Sequence, residues 1–479
     1  MTHSLRTLFI IFLIVFIILL FVLENSSLLL KHPPIWPDEA LFADVAISFS
    51  DKGKMASNLL GQSIPGLSEH AFWTPPLYFS FLSSWINLFG QTIESLRLSS
   101  IFIAAGSLII MFLIGKVLFK KTLPALLGTL FLLLDPGFSQ SSRIARMDIL
   151  VFFLSLAALY LTAAAVVRKR PFLYPISGFF TGLALITHPL GAIGLFTICS
   201  VLLFSPASFK ERISSLTGVL LPSLMVVFIW LLSIRRSWDI FLIQNQLQFA
   251  RKATETSYIS QIFTTDPSWT LLLLINALIF FIMLIITFKS PTFINRLVII
   301  GIFISSVSLI WSKEMWYLIY FQPFIALGTI TIILNFLRNN EIIKKIVLST
   351  LVVLLLILMN NYMTRLRIVD SNIDYHDFTQ RLSNQLPERG TVFLAVIPDP
   401  YFDLRAGNDL QFREFSPVPI QNKAYRELLN GADYLILNMI PNKIIQDYVK
   451  KNASSSSIIN QPNGYSATVV HLVDKVKRN

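Results

Sequence analysis

The sequence predicts an α-helical polytopic membrane protein with about eleven transmembrane helices and a small C-terminal α/β domain outside the membrane. Three observations predict it. Of 479 residues 54% are hydrophobic and 14% charged, with a mean hydropathy of +0.66, which is more apolar surface than a soluble fold buries. Apolar runs of about 20 residues recur, separated by short basic clusters. Near residue 364 the composition turns abruptly polar and mixed.

The runs fall near 6–29, 98–118, 122–141, 148–167, 172–188, 190–206, 214–234, 269–288, 297–312, 316–337 and 346–363. The first follows the basic start "MTHSLR". It reads as an uncleaved span, because "ENSSLLLKHPP" offers no small-residue cleavage site. Residues 74–90, "TPPLYFSFLSSWINLFG", are short and open on a double proline. Charge decides how they lie. If they rest in the interface, with Trp73, Tyr78 and Trp85 at headgroup level, the clusters Lys116/Lys120/Lys121, Arg168/Lys169/Arg170, Lys210/Arg212, Lys289/Arg296 and Arg338/Lys344/Lys345 all fall inside with Arg6. If they span, every cluster falls outside. The amino terminus is therefore expected in the cytoplasm, with a first outer loop at 30–97, another at 235–268 and an outer tail from 364.

Within the tail, "IDYHDFTQRLSNQL", "NKAYRELLNG" and "NKIIQDYVKKN" read as helices and "TVFLAVI" and "ADYLILN" as strands. "NGYSATVVHLV" reads as a turn and a last strand. No glycine-rich phosphate loop opens a helix there, so the tail is expected to bind or assist.

The net charge of +12 lies in loop clusters without interleaved aromatics, which argues against nucleic acid. Cys199 is the sole cysteine, so no internal disulfide and no cysteine metal site can form. His70 beside Glu69 has no further spaced ligand, and no metal is expected.

The expected topology gathers charged residues at one membrane face. Asp38 and Glu39 in "IWPDEALFADVA" follow the first span, and Arg97 opens the second. Arg143, Arg146 and Asp148 lie in "SQSSRIARMD", His188 in "ITHPLG", Arg235 and Arg236 in "RRSWD", and Lys313 and Glu314 in "SKEMWYLIY". Carboxylates facing guanidinium groups at a membrane surface suit transfer from a phosphate-linked lipid: the acid accepts a hydroxyl proton while the cations hold the leaving phosphate. Plainer readings stand beside this one. Arg235, Arg236 and Lys313 also read as solvated span ends. Asp38 and Asp148 also read as helix caps, and His188 as an interfacial histidine.

Taken in order, "WPDEALFADVAISFSDKGK", "TPPLYFSFLSSWINLFG", "LRLSSIFIAAGSLIIMFLIGKVLF", "SRIARMDILVFFLSLAALYL" and "GLALITHPLGAIGLF" resemble the polyprenyl-phosphate-sugar-dependent glycosyltransferases of the GT-C fold, which include protein O-mannosyltransferases and aminoarabinose transferases. The likeness covers about the first 210 residues, and "KEMWYLIYFQPFIALG", with Tyr317, is similar to a later family span. It implies that Asp38 is the essential first-loop acid, that Glu39 completes the acidic pair, and that Arg97 and Asp148 take part. It also implies an inverting reaction without a cofactor or catalytic metal, in which an acceptor hydroxyl displaces a lipid phosphate. Two positions depart from the family: Thr74 stands where aminoarabinose transferases commonly have lysine before the double proline, and His188 replaces a frequent lysine.

The expectation is thus a multi-pass enzyme of the cell membrane, with residues 1–363 as a transmembrane catalytic domain and 364–479 as a soluble extracytoplasmic domain. It would move a sugar from polyprenyl phosphate to a lipid, glycan or protein hydroxyl. Asp38 is the expected general base, with Glu39 and Asp148 orienting the acceptor or stabilising charge. Arg97, Arg143 and Arg146 are expected on the donor phosphate, and His70, His188, Arg235, Arg236, Lys313 and Tyr317 are candidate substrate contacts. A flippase of lipid-linked saccharides is the alternative, and a nonenzymatic assembly subunit a third reading. A flippase would carry charged or broken helices at mid-membrane and internal pseudo-symmetry, neither of which is evident.

Overall fold

The computed structural model describes residues 3–254, 267–312, 315–337, 341–343, 346–351, 353–354, 357, 374–407, 409–415, 429–438, 443–461 and 464–473. Helix α1 (His3–Ser26) leads into α2 (Pro37–Lys52) and α3 (Leu77–Phe89). A run of apolar helices follows: α4 (Ile93–Phe119), α5 (Thr122–Leu133), α6 (Pro136–Ser141), α7 (Met147–Arg168), α8 (Leu173–Leu185), α9 (Ala192–Leu203) and α10 (Phe209–Ser233). Then come α11 (Trp238–Thr254), α12 (Pro267–Lys289), α13 (Phe293–Ser312) and α14 (Gln322–Phe336).

Three described helices, α4, α7 and α10, are each long and apolar enough to cross a membrane. Most of the other expected runs fall on shorter apolar helices, and 346–363 lies largely outside the described residues. Helix α10 shows what surrounds the bundle. Its Leu221, Leu224, Met225, Phe228 and Ile229 are all exposed, a surface that hydrocarbon covers and water does not. On its other side α10 meets α8 at close range. A Cβ on Gly178 would lie 2.2 Å from the Val219 carbonyl oxygen, and the Ser223 hydroxyl donates to the Gly178 carbonyl at 2.8 Å. Small residues thus let two backbones touch where lipid supplies no hydrophobic drive.

One expectation changes. The run expected at 122–141 is broken at Asp135: its carboxylate accepts the Phe138 N–H at 2.7 Å and Pro136 restarts the chain as α6. Of the aromatics expected at headgroup level, Trp73 and Trp85 are half-buried and Tyr78 packs inside. Tyr78 of α3 is wholly buried, and Trp85 donates its ring N–H to the Ser95 carbonyl at 2.9 Å. Trp73 lines a half-open cavity. Helix α3 exposes Leu88 and Phe89.

Residues 374–473 build a five-stranded sheet in the order β2-β1-β3-β5-β4. Its strands are β1 (Arg389–Ala395), β2 (Asp409–Glu414), β3 (Tyr434–Leu437), β4 (Ala453–Asn460) and β5 (Ser466–Leu472). Strand β1 runs parallel to β2 and β3, and β5 is antiparallel to β3 and β4. The helices are α15 (Tyr375–Ser383), α16 (Tyr401–Gly407) and α17 (Lys443–Asn452). The helix expected at "NKAYRELLNG" lies mostly outside the described residues. Strand β4, "ASSSSIIN", gives no alternating apolar signal because it is an exposed edge.

This sheet is fastened to the first loop. The Asp399 N–H donates to the Ile35 carbonyl at 2.9 Å and the Glu414 N–H to the Leu59 carbonyl at 3.2 Å. The Tyr401 hydroxyl donates to Asp44 at 3.3 Å, and His376 bridges Glu94 and Asp403 at 2.9 and 2.8 Å. Asp399 and Glu414 are both fully buried. Burial, with the charge of Glu39 adding to it, raises the Asp399 carboxyl to about 7; burial and then the Asp399 charge push Glu414 well above its ordinary value.

A proton held on Asp399 when folded and lost when unfolded makes stability fall with rising pH. The fall runs from the ordinary aspartate value, about 4, up to about 7, and Asp399 adds no further slope above that. The melting temperature of the detergent-solubilised protein is expected to drop from about pH 5 to about pH 7, and Asp399→Asn to flatten that slope. An unchanged slope in the variant would assign the dependence to other groups.

Candidate active site

The start of α2 organises the site. Pro37 occupies the first helical position, where its missing N–H costs nothing. Glu39 folds back and accepts the Trp36 N–H at 3.0 Å. The same carboxylate takes Arg97 Nε at 2.9 Å and Nη2 at 2.5 Å, and the Ala145 N–H at 2.8 Å. Arg97 also donates to the Pro33 and Pro34 carbonyls at 2.8 and 3.1 Å. Glu39 and Arg97 are both 0% exposed. One buried ion pair therefore ties the loop before α2, helix α4 and the turn before α7 into a single piece.

Asp38 sits about 100° around the helix from Glu39, and it lines a cavity. Arg146, in extended conformation at the cap of α7, reaches it with Nη1. The Nε of the same guanidinium donates to Asp148 at 2.9 Å. Two carboxylates thus share one arginine. The Phe42 ring lies 6.0 Å from the guanidinium carbon.

The cavity measures about 220 Å³. Helix α2 contributes Asp38, Leu41 and Phe42, the segment before α3 contributes Trp73 and Thr74, and the start of α7 contributes Arg146 and Met147. His188, Pro189 and Leu190 form another edge, and Tyr317 lies 5.9 Å from the His188 ring. The remaining wall is α11, with Asn245, Gln248, Phe249, Arg251 and Lys252. Helix α11 is stitched to the first loop by buried Gln244. It accepts the Phe72 N–H at 2.7 Å and donates to the His70 carbonyl at 2.8 Å. Lys252 Nζ stands 6.0 Å from the Tyr317 ring centre.

Asp38, Arg146, His188 and Tyr317 are therefore brought to one cavity, with Asp148 directly behind Arg146. Glu39 is not at its surface. Arg97 and Arg143, expected on phosphate, are fully buried and do not line it. Arg143 donates to the His32 carbonyl at 2.9 Å and to Asn25 at 2.6 Å. The cost of burying each guanidinium is offset by carbonyl and side-chain acceptors, which leaves it as internal bracing. Arg235 and Arg236 are exposed in a 3-10 turn outside the cavity. Exposed His70 stacks on Phe72 with ring centres 5.3 Å apart, and Lys313 lies outside the described residues. Among the described residues no group of three His, Cys, Asp or Glu could hold a metal ion.

The sequence reading missed α11. Its signal was present in "QNQLQFARK", where Asn245, Gln248 and Arg251/Lys252 recur at helical spacing in a segment treated only as a loop.

Residues 74–231, from just before α3 through most of α10, match the pattern of the dolichyl-phosphate-mannose-protein mannosyltransferase family. The chain superposes on the crystal structure of ArnT from Cupriavidus metallidurans bound to undecaprenyl phosphate with a TM-score of 0.64 and 13% identity, over 97% of this chain and 98% of that one. It is also similar to the archaeal oligosaccharyltransferase AglB from Archaeoglobus fulgidus, in complex with an inhibitory peptide and a dolichol-phosphate. There the TM-score is 0.56 and the identity 10%, over 88% of this chain and 69% of that one. The chain has the GT-C glycosyltransferase fold.

At these identities the likeness is one of fold. The apo form of the same ArnT superposes equally well, with a TM-score of 0.64 over 96% of this chain and 97% of that one at 13% identity. No curated protein sequence matches the chain. The mannosyltransferase-family match begins at Thr74, so Asp38 and Glu39 lie outside it and their reading rests on the geometry above.

Proposed function

We propose that this GT-C protein transfers a sugar from a polyprenyl-phosphate donor to an acceptor hydroxyl at the extracytoplasmic face of the cell membrane. In this reading the bundle within residues 1–363 holds the donor and the tail from 364 stands outside. The observation that carries it is the cavity whose lining brings Asp38, held by Arg146, together with Arg251 and Lys252.

The acceptor oxygen attacks the anomeric carbon as the bond from that carbon to the phosphate oxygen breaks, inverting the centre. Asp38 takes the hydroxyl proton, and the electron pair leaves on the lipid phosphate. Arg251 and Lys252 hold that phosphate as its charge grows. They supply the cation that Thr74 cannot. Arg146, positioned by Asp148, holds Asp38 in place. Glu39 and Arg97 position the loop that carries Asp38 and do not touch substrate.

The test supplies radiolabelled undecaprenyl-phosphate sugar to membranes of cells with and without the protein. Label is expected to leave the donor lipid for an acceptor only where the protein is present. Unchanged donor that merely crosses between leaflets would make the protein a flippase instead. Arg251→Ala and Lys252→Ala are each expected to raise the KM for donor by about ten- to a hundredfold, the worth of one charge-assisted hydrogen bond. A KM within twofold of wild type in both would remove them from the phosphate.

A further inference from the structure

The tail reaches the residues that carry Asp38. Asp399, in the turn between β1 and α16, donates its N–H to the Ile35 carbonyl at 2.9 Å, and Ile35 stands three residues before Asp38. Glu414, the last residue of β2, donates its N–H to the Leu59 carbonyl at 3.2 Å. The segment ending at Leu59 in turn grips the middle of α2. There Asp44 accepts the Ser57 hydroxyl and the Asn58 N–H at 2.7 Å each and the Leu59 N–H at 3.1 Å. The two acids thus meet the first loop on either side of α2, the helix that presents Asp38 to the cavity.

Their side chains close the arrangement. The Tyr375 hydroxyl donates to the Asp399 carbonyl at 2.8 Å and the Tyr401 N–H to Asp399 Oδ1 at 2.9 Å, so Asp399 is held at its N–H, its carbonyl and one carboxyl oxygen. Asp399 Oδ2 and both Glu414 carboxyl oxygens are buried and receive no N–H or O–H from the described residues. Such oxygens are costly when left so. The two carboxyls answer one another, because a proton on either lets it donate to the other. The charges that face the pair are acids as well, Glu39 acting on Asp399 and Asp38 on Glu414. Tyr375 and Tyr401 face Asp403 and Asp44 in turn. Of the cations that reach these phenols, Arg97 is paired with Glu39 at 2.5 Å and Arg405 donates to Gln91 at 2.7 Å.

We infer that Asp399 and Glu414 form a clasp that makes the tail a positioning element of the active site, fixing the loop and helix from which Asp38 works. The inference rests on the transferase reading above and adds two positioning residues to it. Shielding the bundle would need burial alone, whereas these hydrogen bonds fix the backbone three residues from the base.

Three variants of the full chain test it. Glu414→Ala opens the clasp, Glu414→Gln restores a donor of the same size, and Tyr375→Phe loosens Asp399 by one hydroxyl. Initial rates per monodisperse molecule are measured with radiolabelled undecaprenyl-phosphate sugar and membranes that supply the acceptor. Glu414→Ala is expected to lower kcat by about tenfold or more, toward the hundredfold that a misplacement of about 1 Å costs, with the donor KM within about twofold of wild type. Glu414→Gln is expected to keep kcat within about threefold. Hydrogen–deuterium exchange of residues 35–45 is expected to quicken at least about tenfold in Glu414→Ala and by less in Tyr375→Phe, while peptides of α7 and α8 exchange as before. Unchanged exchange at 35–45, or an unchanged kcat per folded molecule in Glu414→Ala, overturns the clasp and leaves the transferase reading standing. A raised KM at wild-type kcat overturns it too, since positioning acts on the chemical step. Should Glu414→Ala yield no monodisperse protein, Tyr375→Phe decides by the same two measurements. Absence of transfer by the wild type overturns both readings.

Discussion

Asp38→Asn is expected to lower kcat for sugar transfer by about a thousandfold, within the range that a positioned general base contributes. Asparagine keeps the shape and can still accept from Arg146 through its amide oxygen, so the fold and the donor KM should change little. What disappears is the capacity to take the acceptor proton as the new glycosidic bond forms. Initial rates with radiolabelled donor, measured beside melting temperatures in detergent, separate lost chemistry from lost structure. Transfer at a wild-type rate in the variant would remove Asp38 from the chemistry and leave it as the counter-ion of Arg146.

The second large effect belongs to the pair beneath it. Glu39 and Arg97 are both wholly buried, and removing one partner strands an uncompensated charge, at a cost of about 3–5 kcal/mol. Arg97→Met and Glu39→Leu are each expected to lose most folded protein on extraction, read as monodisperse yield and melting temperature. The double variant should recover much of that stability, since an apolar pair of similar volume costs less than a broken ion pair. It should not recover activity. Glu39 also accepts the Trp36 and Ala145 N–H groups, so without it the loop that aims Asp38 and the turn that carries Arg146 are no longer joined. Single variants as stable as wild type would refute the bracing role. An active double variant would show that the brace does not position the base.

Glu39 also shows how far a sequence reading reaches. Adjacent carboxylates in "PDE" look alike in the sequence, and both read as catalytic. One residue of helical rotation separates a cavity wall from the protein interior, and only packing reveals which side each faces. The same holds for the arginines. Arg97, Arg143 and Arg146 share a chemistry that suits phosphate, yet two of them are internal braces hydrogen-bonded to backbone carbonyls and side chains. Charge type is written in the sequence, whereas burial is a property of the assembled bundle.

The apolar run lengths, the loop charges and the order of the first-loop motifs determined by themselves that this is a helical membrane protein resembling GT-C enzymes, because those signals are local and repeat along the chain. The helix and strand periodicity of much of the tail was likewise local, and strands β1, β3 and β5 lie where it placed them. Tertiary structure alone decided that α11, 172 residues on from Phe72, folds back to wall the cavity. It also decided that the sheet fastens onto the first loop through Asp399 and Glu414. These are long-range contacts between segments whose own sequences are unremarkable for membrane proteins. No window along the chain contains both partners, so no pattern within a window could disclose them.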